Sequence, residues 1–187
     1  MEKNNRRSSR QASIKMAFCG LMTALSVTVM LAGGLIPIAT YCVPLIAGLF
    51  LLPVLLEFGP KTAWTMFAAT SLVCLLTGID KEAAFFYVFL GSYPIVKWNL
   101  DKVFKKQIIR VMVKLLLFTV SITVMYVLMG LLLNVTAVIA EFQEMGTVLT
   151  IIFVIFFDLC MLMYDRLLLP LVILYAKRLR PRLRFLR

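Results

Sequence analysis

The chain has 187 residues, of which 62% are hydrophobic and 16% charged, with a formal net charge of +11 and a mean hydropathy of +0.97. Soluble domains carry about 45–50% apolar and about 25% charged residues, so the composition excludes an ordinary soluble domain and points to an all-α, polytopic membrane protein. The chain has no histidine, which removes the commonest general base and metal ligand.

A basic tail, residues 1–14, precedes six apolar segments, and a second basic tail covers residues 178–187. The segments are Lys15–Gly33, Leu35–Leu56, Thr62–Gly78, Ala83–Val96, Ile108–Leu133 and Thr147–Ala176. Together they predict a transmembrane domain over residues 15–177 with six crossings. The first run lacks a cleavage site of small residues and more spans follow it, so it reads as a span and not as a signal.

In the first segment Ala17, Gly20, Ala24 and Thr28 recur at helical spacing. Small residues let helices approach closely in lipid, where packing is the main driving force. This stripe either packs on spans inside the protein or docks a partner subunit. The second segment contains Pro37, Pro44 and Pro53. Each removes a backbone donor, so the segment is expected to start irregularly, with Tyr41 in the irregular part.

The fourth segment has only 14 uncharged residues, about 21 Å of helix against a hydrocarbon core about 30 Å thick. Two readings stand: ordinary hydrophobic mismatch, or a helix broken beside a cavity, with Gly91 and Pro94 marking the break. The loops on its outer side hold Asp80, Lys81, Glu82, Glu141 and Glu144, and the aromatic residues Phe85, Phe86 and Tyr87 follow at once. Carboxylates beside aromatic faces suit a small polar or cationic organic molecule. A solvated loop above an interfacial aromatic belt has the same composition.

The sixth segment carries Asp158 near the expected midplane of the bilayer. A carboxylate there is a functional candidate unless it is paired, and Lys114 of the fifth segment lies at a compatible depth. Asp165, seven residues on, shares its face, with Arg166 or Arg110 as its expected partner. The crossing either ends near Asp165 or continues past Pro170 as a long, kinked helix.

Of the 20 Lys and Arg residues, 18 fall in the two tails with the adjoining Lys15 and Lys177, at Lys61, and from Lys97 to Lys114. Lys81 stands alone on the opposite side, and Arg166 is in the last span. Such asymmetry places both termini in the cytoplasm. It assigns the positive charge to topology and to membrane lipids, not to nucleic acid.

Enzymatic classes find little support. There is no G-x-S-x-G and no Walker A motif, and no characteristic protease motif surrounds Asp158 or Asp165. Cys19, Cys42, Cys74 and Cys160 stand singly in apolar runs. They read as small buried apolar residues and not as a disulfide or metal site. No cofactor is called for.

With its length, its six spans and the small-residue first span "MAFCGLMTALSVTVML", the chain resembles the substrate-binding S components of energy-coupling factor (ECF) vitamin transporters. Members of that family show an alanine-x-x-x-alanine element in the first span. Here Ala17 is followed four residues later by Leu21, and Gly20 with Ala24 is the nearest match. The resemblance implies uptake of a vitamin-like small molecule through association with a membrane coupling subunit and two ATPases. It also implies a ligand site on the outer side, which by position would draw on Tyr41, Glu82, Phe86, Tyr87, Asn134 and Asp158. The competing expectation is a membrane protein of assembly, lipid-interacting or regulatory type that makes contact through its basic C-terminal tail. In that case Asp158 should be neutralised by Lys114.

Overall fold

The computed structural model describes residues 2–34, 40–77, 81–104, 106–133 and 136–181, and among them it contains helices and no strands. Eight α-helices follow one another: α1 (Glu2–Gly33), α2 (Val43–Leu49), α3 (Leu51–Phe58), α4 (Pro60–Thr77), α5 (Lys81–Phe86), α6 (Tyr93–Val103), α7 (Gln107–Leu133) and α8 (Thr136–Leu174). Two π-helical turns, Tyr87–Gly91 and Tyr175–Leu179, follow α5 and α8.

Among the described residues, three helical stretches are long and apolar enough to cross a membrane: Ser9–Gly33, Gln107–Met125 and Val154–Arg178. Only 22% of the apolar window in each is buried within the protein. Large apolar side chains such as Leu21, Met112, Leu116, Val120, Ile155, Leu159 and Met163 point outward. Exposed apolar surface on this scale needs an apolar surrounding. Thr28, Thr65, Thr77 and Thr123 each donate to the carbonyl four residues back, which satisfies the hydroxyl proton within its own helix.

The chain divides into two compact units, residues 1–96 with 169–187 and residues 97–168. In the first, α1 packs on α2, α3 and α4, and α2 packs on the π-turn after α5. The second apolar segment is not one helix. Pro44 sits in the first turn of α2 and Pro53 in the first turn of α3, where a missing N–H costs nothing. Each proline therefore starts a new helix instead of kinking an old one. Gly59, at φ 83°, ends α3 in a conformation that glycine adopts without strain, and Pro60 opens α4. At the end of α2, the fully buried Ser26 of α1 donates to the Ala47 carbonyl at 3.1 Å and supplies a partner to a last-turn acceptor.

The short fourth segment is longer than its uncharged run and broken in the middle. Helical structure extends from Lys81 to Val103, with the π-turn interrupting it. It thus continues past Lys97, which buries its charge in an ion pair described below. A Cβ on Gly91 would lie 2.7 Å from the Tyr87 ring, and one on Gly48 would lie 2.9 Å from the Gly91 carbonyl oxygen. The two glycines are what let α2, the π-turn and the Tyr87 ring stack in direct contact. π-turns inside helices occur frequently at functional sites.

In the second unit α7 presents Lys114, Phe118, Ile122 and Met125 as one buried stripe, and α8 presents Met161 and Leu168. Residues 158, 161, 165 and 168 share one face at helical spacing. Lys114 meets Asp165 and Thr119 meets Asp158, so the two helices run antiparallel. α8 continues through Asp165 and Pro170 to Leu174, the long-helix alternative.

Candidate functional site

Tyr41 lies in the turn before α2, and Glu82 and Phe86 lie on α5. Forty-one residues separate Tyr41 from Glu82, yet the Tyr41 hydroxyl donates to Glu82 Oε1 at 3.2 Å. The Tyr41 ring meets Phe86 edge to face, with centroids 5.0 Å apart and planes at 87°. Phe86 is buried, while Tyr41 is 38% exposed. The exposed ring is thus held from behind by a buried aromatic and from the side by a carboxylate. The Glu82 carboxylate stands next to this partly exposed ring. An aromatic face beside a carboxylate attracts cations and hydrogen-bond donors.

Tyr87 departs from the expectation. It is fully buried, with its ring tilted over Phe67 at 5.6 Å. Its hydroxyl makes no hydrogen bond among the described residues. The buried Thr70 and Ser26 hydroxyls lie within electrostatic reach, but both already donate to carbonyls. Tyr87 is an interior residue that opens the π-turn.

Asp158 lies in the other unit. Thr119 Oγ1 donates to its Oδ2 at 3.1 Å, and its Oδ1 is buried without a hydrogen bond among the described residues. Lys114, its expected partner, is engaged elsewhere. Its Nζ lies 3.0 Å and 3.2 Å from the two Asp165 carboxylate oxygens and 3.2 Å from Asp101 Oδ1. Asp165 also takes Lys97 at 2.8 Å, and Lys97 reaches the Asp165 backbone carbonyl as well. Arg110 meets Asp101 at 3.4 Å. Lys114 therefore meets the carboxylate one heptad beyond Asp158 on α8, and Lys97 and Lys114 both hold Asp165. Nothing in the residue types announces this network. The signal that could have found it is the shared face of residues 158 and 165, which offers Lys114 two carboxylates and not one.

Asn134 and Asp80 lie outside the described residues, as do the side chains of Glu141 and Glu144. The small-residue stripe of α1 is placed plainly: Ala17, Gly20, Ala24 and Thr28 are all exposed, and Phe18, Ser26 and Met30 take the inward face. Of the cysteines only Cys74 is buried, whereas Cys42 and Cys160 are exposed, so the reading of all four as buried residues is corrected. Among the described residues no group of three His, Cys, Asp or Glu side chains could hold a metal ion.

Comparison with protein-family models, with curated proteins and with solved structures finds no match.

Proposed function

We propose that the chain is the substrate-binding membrane subunit of an uptake system for a vitamin-like small molecule, working with a separate coupling subunit and ATPases, as the S components of ECF transporters do. The observation that carries this reading is the assembly of Tyr41, Glu82 and Phe86 from two separate segments into one exposed aromatic and carboxylate surface. A chain with no nucleotide-binding motif of its own draws energy from other subunits, and the outward small-residue stripe of α1 offers them a docking face. The matching topology has six crossings with both termini cytoplasmic, supported by the distribution of Lys and Arg. The competing, non-transport reading requires Lys114 to neutralise Asp158. Lys114 is instead committed to Asp101 and Asp165, which favours the transport reading.

The test is retention of the co-purifying small molecule, released by denaturation and quantified by mass spectrometry. Tyr41→Ala removes an anchor of the kind that dominates binding energy and is expected to lower retention by about thirtyfold. Glu82→Gln keeps the shape, removes the charge, and is expected to cost about tenfold. Wild-type retention in both variants would remove the cluster from the site.

A further inference from the structure

A second feature lies on the flank of α1, away from the aromatic cluster. A groove of 590 Å³ runs between α1 and α4, lined by Lys15, Gly20, Thr23, Thr62, Thr65 and Ala69 among others. It borders the small-residue stripe and shares Gly20 with it. Nothing lies within 4 Å of a Cβ built on Gly20, so the space beside that residue is open. Thr62 and Thr65 spend their hydroxyls on the carbonyls of Phe58 and Lys61, at 3.2 Å and 3.1 Å. These walls therefore look apolar to an occupant.

The groove has one charged end. Lys15 Nζ lies 5.9 Å from the centre of the Phe58 ring, and Phe18 meets the same ring edge to face at 5.8 Å. Phe58 comes just before Gly59 and the start of α4, so Lys15 marks the end of the groove at which α4 begins. Lys61, the second residue of α4, is at that same end and is exposed. Among the described residues no carboxylate forms an ion pair with either lysine. The helix dipole of α4 adds positive potential there. The rest of the groove lies along the apolar stretch Ser9–Gly33, where water is excluded and an open furrow must be filled by something apolar.

We propose that this groove binds an anionic phospholipid, with one acyl chain along Gly20, Thr23 and Ala69 and the phosphate at Lys15 and Lys61. A polar solute would find no free hydroxyl donor on Thr62 or Thr65, and a neutral lipid would leave the two cations without a counter-charge. A basic site near the membrane surface gains about fivefold in affinity for an anionic headgroup per lysine.

The test uses the purified, delipidated full chain, titrated separately with phosphatidylglycerol and phosphatidylcholine, with bound lipids counted by native mass spectrometry. One phosphatidylglycerol should bind in preference to phosphatidylcholine. Lys15→Gln should reduce that preference about fivefold. Ala69→Phe, at an exposed position, should fill the groove and abolish the site. Lys61→Gln, a surface change that no core contact depends on, repeats the charge test should Ala69→Phe fold poorly. Equal binding of the two lipids, or wild-type binding by the variants, would overturn the proposal. So would equal binding of glycerol phosphate without acyl chains. None of these outcomes bears on the Tyr41 cluster.

Discussion

Replacing Asp165 with alanine is expected to destabilise the protein by about 3–5 kcal/mol, the largest effect of any single substitution considered. The reason is the state of what remains. Lys114 is only 3% exposed and Lys97 only 12%. Asp165 meets both, so its loss takes from Lys97 the carboxylate that it meets and leaves Lys114 only the part-exposed Asp101, which Arg110 also meets. The cost of leaving a buried charge unpaired exceeds the net value of the pair itself. A second substitution separates these two quantities. In Asp165→Leu combined with Lys114→Met, one buried charge disappears with its partner, and much of the lost stability should return. Equilibrium unfolding in mixed micelles measures both variants. An Asp165→Ala protein as stable as the wild type would show that the network is solvated and contributes nothing.

The second large effect is steric. In Gly48→Leu the new side chain must start from a Cβ 2.9 Å from the Gly91 carbonyl oxygen. Backbone cannot swing aside as a side chain can, so α2 and the π-turn must part. Overpacking of this kind costs about 1–3 kcal/mol, and the upper end is expected here because both contacting groups are backbone. Gly91→Ala should be milder, since its Cβ would meet the Tyr87 ring, 2.7 Å away, which can tilt. The ordering of the two variants in the same unfolding experiment is the check. A Gly48→Leu protein less perturbed than Gly91→Ala would mean that the α2 crossing is looser than described.

Much of this architecture is written in local chemistry. Pro44, Pro53, Gly59 and Pro60 mark helix starts and stops by rules that need no tertiary context, and the alignment of the small residues of α1 follows from helical spacing, whereas the side they face does not. Tyr41 meets Glu82 and Phe86 across 41 residues of sequence, a contact that no local pattern carries. What could not be read was azimuth. Lys114, Asp158 and Asp165 have compatible depths, but which carboxylate the lysine reaches depends on how α7 and α8 are phased, and one heptad separates the two choices. The π-turn was equally hidden. Tyr87–Gly91 are five residues of ordinary composition, and the close approach of Gly48 to Gly91 is a tertiary contact that composition does not announce. Helix length misled for a related reason. Lys97 ends the uncharged run but not the helix, because Asp165 receives its charge.

The central claim is that the chain binds a small molecule for uptake and hands it on with the help of other subunits. Affinity capture of the full chain from its native membrane in mild detergent, with mass spectrometry of both the proteins and the small molecules recovered, tests it most directly. The account predicts one small organic molecule in stoichiometric amount, together with a membrane coupling protein and ATPases. Recovery of lipid alone, or of an unrelated membrane protein without any such molecule, would contradict it.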